Sequence, residues 1–124
     1  MSRIDDIFKT LRSDNRQALM PFIVGGYPGL DATEMVISGL DAAGAPIAEI
    51  GFPFSDPIAD GPVIAAAMHE TLCSGMTTDA LLSTITRARP HTEAGLIAMV
   101  SESIVHRRGG PTFVQQIADA GFDG

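Results

Sequence analysis

The sequence predicts an α/β fold in which parallel strands alternate with helices. Three apolar runs, at residues 19–24, 46–51 and 96–100, are each about one strand long. Segments with helical spacing of apolar residues separate and follow these runs, and glycine or proline marks most of the boundaries. Because the runs are continuously apolar and do not alternate with polar residues, we expect a parallel sheet whose faces are covered by helices.

The first two helices are predicted from apolar spacing and from end signals. Residues 3–12 have the pattern of a short amphipathic helix. A second helix is expected to begin at Asp31 as its N-cap, with Glu34 reaching back as in a capping box, and to end at Gly44. The expected apolar faces are Ile4, Ile7, Phe8 and Leu11 in the first helix and Met35, Val36, Leu40 and Ala43 in the second.

Three more helices are predicted from proline, threonine and glycine at their ends. The expected boundary residues are Pro62 and Cys73 for one helix, Thr77 or Thr78 and Pro90 for the next, and Pro111 and Gly121 for the last. The expected inward-facing residues are Leu81, Leu82, Ile85 and Ala88 in the second of these helices and Phe113, Val114, Ile117 and Ala120 in the third.

The length of 124 residues suits one compact domain, which we expect to span residues 1–124. A closed barrel of eight strand–helix units takes about 250 residues. Three strands therefore predict either a small open sheet or the first part of such a barrel. In both cases functional side chains collect at the carboxyl ends of the strands, which here means residues 25–29, 51–61 and 101–110.

Composition narrows the class of protein. The formal net charge of −7 argues against nucleic-acid binding, because phosphate backbones require basic patches. No apolar run approaches the roughly 20 residues of a membrane span. The single cysteine, Cys73, fits a reducing compartment, and the acidic start at Asp5 and Asp6 is unlike a signal peptide. We therefore expect a cytoplasmic protein that binds neither nucleic acid nor membrane.

The strongest candidate site lies in residues 48–62, AEIGFPFSDPIADGP. Glu49 stands among apolar neighbours, where lost hydration disfavours the charged form and lets a carboxyl group exchange protons near neutral pH. The alternative is a core glutamate tied to a backbone amide or an arginine, and the sequence alone favours neither. Asp60 precedes a helix, and Asp56 lies in a proline turn, so a helix cap or a turn is the alternative for these two residues.

The other polar motifs give weaker signals. The histidines His69, His91 and His106 have no metal-binding spacing, so no metal site is predicted. Residues 106–108, His-Arg-Arg, could attract an anion after the third strand, although a solvated basic loop is the simpler interpretation. The paired glycines at residues 25–26 do not form a dinucleotide-binding GxGxxG motif.

Several of these segments together resemble one known family. They are MPFIVGGYPG, AEIGFPFSDPIADGPVIAAA, GMTTDALL, GLIAMVS and FVQQIADAGFDG. They are similar to the N-terminal part of tryptophan synthase alpha subunits, and the second segment follows that family's E-x-G-x-P-[FY]-S-D-P-x-A-D-G-P signature. The resemblance covers nearly the whole chain. It implies a partial (β/α)₈ barrel that comprises an N-terminal helix and the first three strand–helix units.

The resemblance also implies an activity and its residues. The family cleaves indole-3-glycerol phosphate to indole and glyceraldehyde 3-phosphate, and its two acid–base residues match Glu49 and Asp60. Phe22 matches an aromatic residue that lines the indole pocket, and Val100 falls at an apolar pocket position. We expect this chain alone to be inactive, because phosphate sites in such barrels are commonly built by the loops after strands 7 and 8.

A partner is implied as well. The family works with a beta subunit in an α2β2 heterotetramer, and that subunit holds pyridoxal phosphate, so no cofactor is expected in this chain. Pro53 and Asp56 resemble the family's contact with the beta subunit. Glu102 departs from a position that usually carries tyrosine or a similar residue, and a carboxylate facing the site would repel an anionic substrate. The alternative function is a non-catalytic chain that folds with, or docks on, another polypeptide.

Overall fold

The computed structural model describes residues 2–124, which contain one sheet of three parallel strands. The strands are β1 (Phe22–Val24), β2 (Ile47–Gly51) and β3 (Gly95–Met99), and β2 lies between the other two. Phe22 pairs with Glu49, and Glu49 pairs with Ile97. Paired residues in parallel strands point to the same side, so these three side chains share one face of the sheet.

Six α-helices and one 3₁₀ turn surround the sheet. Their bounds are α1 Arg3–Ser13, α2 Leu30–Ser38, α3 Pro62–Cys73, α4 Thr78–Ala88, the 3₁₀ turn Arg89–His91, α5 Glu102–Arg107 and α6 Pro111–Ala120. None of these helices is both long enough and apolar enough to cross a membrane.

The main core lies between one face of the sheet and helices α2, α4 and α6. Ala48, Ile50 and Leu96 point into it from the strands and are fully buried. Phe113 of α6 packs edge-to-face on Phe52, with ring centroids 6.1 Å apart. The helices contribute Ile37, Leu81, Ile85 and Ile117, among others. We call this side of the sheet the covered face.

The opposite side, which we call the open face, is covered only in part. At the amino ends of the strands, Ile4 and Ile7 of α1 lie against Gly95, where a side chain would overlap Ile4 and crowd Ile7. Along β1, Ala67 and Met68 of α3 pack on Val24. Between these two helices, Glu49 and Ile97 are only half-buried, and Met99 is 51% exposed.

The segment after α6 extends the sheet at the edge of β3. The Asp123 backbone N–H donates to the Leu96 carbonyl at 2.8 Å, and the Ala98 N–H donates to the Gly124 carbonyl at the same distance. The pattern of these two bonds is that of a segment running parallel to β3. The Asp123 carboxylate also accepts hydrogen bonds from the Leu96 N–H at 3.0 Å and from Arg89 at 3.1 Å, which fixes the amino end of β3.

The structure confirms most of the predicted helices. Helix α3 has the predicted bounds, Thr77 caps α4 by accepting from the Ala80 N–H at 3.2 Å, and α6 begins at Pro111. Gly121 ends α6 with a φ of 107°, a left-handed conformation that favours glycine. All four predicted inward residues of α4 are buried.

The second helix was predicted with the wrong ends. Gly29 and not Asp31 is its N-cap, because the Thr33 hydroxyl donates to the Gly29 carbonyl and accepts from the Gly26 N–H, which sets the helix start earlier. Glu34 makes no capping box and instead accepts a hydrogen bond from Arg87 at 3.0 Å. The helix ends at Ser38, and the predicted core residues Met35 and Val36 are 74% and 48% exposed.

Three further expectations were wrong. Strand β1 has three residues and not six, since Pro21 has no N–H to donate and Leu19 and Met20 are exposed. The segment after β3 was expected to be a loop but forms helix α5, whose N-cap Ser101 accepts from the Ser103 N–H. Val114 of α6 is 57% exposed and lies outside the core.

Candidate functional site

Glu49 lies in the middle strand, with its side chain on the open face. Its backbone N–H donates to the Pro21 carbonyl at 2.9 Å, which holds the residue in the sheet. The side chain is half-buried, and among residues 2–124 its carboxylate has no hydrogen-bond or ion-pair partner. The structural alternative required a backbone amide or an arginine beside this carboxylate. The absence of such a partner within residues 2–124 leaves the carboxylate available to a bound molecule.

Asp60 lies at the end of the loop that follows β2. Its N–H donates to the Pro57 carbonyl at 3.3 Å, and Gly61, not Asp60, is the N-cap of α3. No side chain caps that helix, so capping does not explain Asp60. Within the described residues its carboxylate, like that of Glu49, has no hydrogen-bonded partner.

A cavity of 190 Å³ brings Asp60 and Val100 together at the carboxyl ends of β2 and β3. Its other lining residues are mostly apolar and are Gly51, Phe52, Phe54, Met68, Met99 and Ser101. This environment suits a small, largely apolar molecule with a polar group, because the Asp60 carboxylate and Ser101 stand in a mostly apolar wall.

Phe22 and Glu49 lie beside this cavity and do not line it. Phe22 is the register partner of Glu49, and its ring lies directly over Gly51, which lines the cavity. Phe22 also packs beside α3, in the same cluster as Ile64 and Met68. All four predicted catalytic and substrate-binding residues therefore lie on the open face or at its carboxyl end. Ile64 and Met68 were not predicted as site residues, because their position depends on where α3 packs.

The two predicted interface residues differ in exposure. Pro53 is buried within this chain, whereas Asp56 is exposed and accepts a hydrogen bond from the Ser55 hydroxyl at 2.6 Å. Both line a second cavity of 520 Å³, whose other side includes Arg107 and Arg108. Asp56 can therefore reach another molecule directly, whereas little of the Pro53 side chain is exposed.

The basic segment after β3 is structured. His106 and Arg107 form the last turn of α5, and Arg108 pairs with Asp79 and stacks over the Phe113 ring at 5.2 Å. Glu102 is exposed in the first turn of α5 and does not line the cavity that contains Asp60. The substrate repulsion expected from a carboxylate facing the site therefore has no basis in this geometry, because formation of α5 turns Glu102 outward.

Metal binding finds no support within residues 2–124, where no three His, Cys, Asp or Glu side chains are grouped so that they could hold an ion. His69 and Cys73 approach to 3.5 Å on the exposed side of α3, one helical turn apart. No third such side chain joins this pair in the part of the chain that the structure describes.

Comparisons with known proteins agree with this geometry. A family model described as tryptophan synthase alpha chain matches residues 8–124. The tryptophan synthase alpha chain of Acaryochloris marina is 40% identical over 124 residues, which are 100% of this chain and 46% of that relative. The alpha chain of Rhodopirellula baltica is 41% identical over 127 residues, with 100% of this chain and 46% of the relative covered.

Solved structures show the same relation. Tryptophan synthase subunit alpha from Legionella pneumophila superimposes with a TM-score of 0.95 at 34% identity, covering 100% of this chain and 48% of that one. Tryptophan synthase from M. tuberculosis in its aminoacrylate-bound form gives a TM-score of 0.89 at 32% identity, covering 98% and 49%. The chain thus spans about half the length of the relatives that it matches. Its fold is a partial (β/α)₈ barrel, as predicted, and the chain belongs to the tryptophan synthase alpha chain family.

Proposed function

We propose that this chain carries the acid–base groups of a lyase that cleaves indole-3-glycerol phosphate to indole and glyceraldehyde 3-phosphate. One observation carries the proposal: Glu49 and Asp60 lie at the open face and its carboxyl end, and their carboxylates have no partner within residues 2–124. Asp60 lines the apolar cavity, and Glu49 lies on the neighbouring open face two residues before Gly51 of the cavity wall. Carboxylates that are not used in packing and that lie in or beside a concave pocket are candidates for acid–base chemistry.

Each carboxyl group has a defined part in the reaction. Glu49 delivers a proton to the indole ring carbon that carries the glyceryl chain, which leaves the ring nitrogen cationic. The Glu49 carboxylate left by that transfer, or a water molecule, then takes the proton of the adjacent glyceryl hydroxyl; the aldehyde forms, and the electrons of the breaking carbon–carbon bond return to the ring. Asp60 accepts a hydrogen bond from the ring N–H and stabilises the positive charge that develops there. Phe22 and Val100 supply apolar walls for the ring.

The phosphate group needs a site that we do not assign to these residues. In closed barrels of this kind, phosphate is commonly held by the loops after strands 7 and 8. The relatives are about twice as long as this chain, and we propose that strand–helix units equivalent to the rest of their length complete the site. We therefore expect no turnover from the 124 residues alone.

The proposal extends to a partner and a compartment. We propose that the completed alpha chain binds a beta subunit in an α2β2 heterotetramer, with pyridoxal phosphate in the beta subunit and no cofactor in this chain. The exposed Asp56 carboxylate and the Pro53 loop form part of that contact. We propose the cytoplasm as the location, with neither nucleic acid nor membrane as a partner.

The test supplies the units that this chain lacks relative to the Legionella pneumophila alpha subunit. The 124-residue chain is mixed with a polypeptide comprising the half of that subunit that it does not match, and indole release from indole-3-glycerol phosphate is measured. We expect release from the mixture and none from either part alone. Formation of a stable folded complex without indole release would contradict the proposal.

The second candidate function is a non-catalytic chain that docks on another polypeptide. It is favoured by the edge of β1, where the Phe22 N–H and C=O and the Val24 N–H have no partner among the described residues. Unpaired strand edges readily accept another strand. The same assay distinguishes the two, because this alternative predicts complex formation without turnover.

A further inference from the structure

We propose that Gly51 is a positioning residue, which sets the depth of the indole-binding wall by letting the Phe22 ring lie directly on the backbone of β2. The ligand part of this inference rests on the proposed function, whereas the packing part does not. Gly51 ends β2 and also lines the cavity that contains Asp60.

The geometry allows no side chain at this position. A Cβ at Gly51 would overlap the Phe22 ring at Cζ and would lie 2.8 Å from Cε2. Real Cβ atoms essentially never approach another heavy atom within 3.0 Å, so any side chain here requires a movement. Glycine is therefore needed at residue 51 because the Phe22 ring approaches the backbone closely.

The ring and not the backbone is expected to move. The Gly51 backbone is held between two strands, paired with Val24 on one side and Met99 on the other, and its carbonyl accepts from the Gly25 N–H at 2.8 Å. The overlapping atoms lie at the far end of the Phe22 side chain, which is only half-buried. A methyl group at residue 51 would therefore displace the ring from the sheet.

That displacement has a consequence for a ligand. The Phe22 ring lies against Gly51, which lines the cavity that contains Asp60, and Phe22 is the register partner of Glu49. A ring raised from the sheet narrows the space in which a flat bicyclic aromatic ligand can lie beside both carboxylates. One methyl group in an apolar pocket commonly changes affinity by about tenfold or more.

The test uses the 124-residue chain, with indole as the probe. Contacts between the Phe22 ring protons and the Gly51 α-protons are measured by NMR in the wild type and, through the remaining α-proton, in Gly51→Ala. Indole is titrated into both. The matched control is Gly39→Ala, because Gly39 has a φ of −89° and its Cβ would make only ordinary contacts.

We expect Gly51→Ala to stay folded, to lose the ring contact and to bind indole about tenfold more weakly, while Gly39→Ala behaves as the wild type. In a Phe22→Leu background, adding Gly51→Ala should change indole affinity little, because the overlapping ring atoms are gone. If Gly51→Ala does not fold, Phe22→Leu/Gly51→Ala must fold, and its failure to do so would overturn the proposal.

Two other results would also overturn it. One is a ring contact that persists in Gly51→Ala, and the other is a displaced ring with unchanged indole affinity. Failure of the wild-type chain to bind indole would overturn the ligand role of Gly51, whereas the proposed function is tested separately by indole release from the completed assembly. The NMR contacts would still show whether the Phe22 ring lies on Gly51.

Discussion

The two faces of the sheet differ in how completely they are built. On the covered face, Leu96 is fully buried among the helices, whereas the next residue, Ile97, is only half-buried on the open face. Since neighbouring residues of a strand point to opposite faces, one short strand serves both packing and function. Stability should therefore depend mainly on the covered face and ligand binding mainly on the open one.

The carboxylates differ in the same way. Asp123, at the amino end of β3, is 16% exposed and bonds to Arg89 and to the Leu96 N–H. Glu49 is half-buried on the open face and has no partner within residues 2–124. A carboxylate that is bonded inside the fold is committed to structure, whereas an unpaired one in an apolar setting remains available for chemistry.

The largest expected effect is on the covered face. Leu96→Ala should lower the free energy of unfolding by about 2–5 kcal/mol, because it leaves a cavity among packed side chains. Ile97→Ala is the matched control on the adjacent residue and should cost about 1 kcal/mol, since its side chain is already partly in water. Urea unfolding of both variants measures the difference, and equal losses would contradict the division between the faces.

A second comparison concerns the two carboxylates. Asp123→Asn should lower the free energy of unfolding by about 2 kcal/mol. The substitution removes the charge that strengthens the hydrogen bonds from Arg89 and from the Leu96 N–H. Glu49→Gln should change the free energy of unfolding by less than about 0.5 kcal/mol, as is usual for groups without such bonds. Thermal or urea unfolding checks both, and a large loss in Glu49→Gln would indicate a structural role for that carboxylate.

The smallest effect concerns helix α1, which covers the amino end of the open face. The Ser2 backbone N–H and hydroxyl donate to the Asp5 carboxylate, at 2.9 and 3.0 Å, and lower the pKa of Asp5 below its usual value of 3.8. A lowered pKa stabilises the folded state above the unfolded pKa, and this contribution is lost as pH falls through the folded one.

The measurement is the pH dependence of unfolding below about pH 4, where ordinary carboxyl groups titrate. We expect Asp5→Asn to reduce slightly the slope of the free energy of unfolding against pH in this range. Asp6→Asn is the control, because the Asp6 side chain makes no hydrogen bond among the described residues and lies in the same turn. Identical slopes in the wild type and Asp5→Asn would show that this cap contributes nothing.

Much of the fold could be predicted because its signals are local. Pro62 and Pro111 mark helix starts through their missing N–H, and the spacing of Leu81 and Ile85 marks a buried helical face. The start of α2 could not be predicted, because the Thr33 hydroxyl, which accepts from the Gly26 N–H and donates to the Gly29 carbonyl, competes with the cap expected at Asp31. Helix α5 was missed because six residues carry too little periodicity.

The candidate site was predictable only in part. Glu49 and Asp60 could be selected because carboxylates are unusual in an apolar strand and its following loop. Met68 and Gly51 could not, because an apolar helix residue and a strand glycine have ordinary packing explanations in sequence. Their place at the site depends on the contact of α3 with β1 and on the position of the Phe22 ring.

The most direct test of the account is the effect of Glu49→Gln on indole release by the assembly completed with the Legionella pneumophila half. Glu102→Gln is the matched control, because Glu102 is exposed and lies outside the cavity that contains Asp60. We expect a loss of about 100-fold or more for Glu49→Gln, as for other general acid–base groups, with an unchanged rate for Glu102→Gln. A Glu49→Gln assembly that retains more than about 10% of the rate would contradict the proposed role of Glu49.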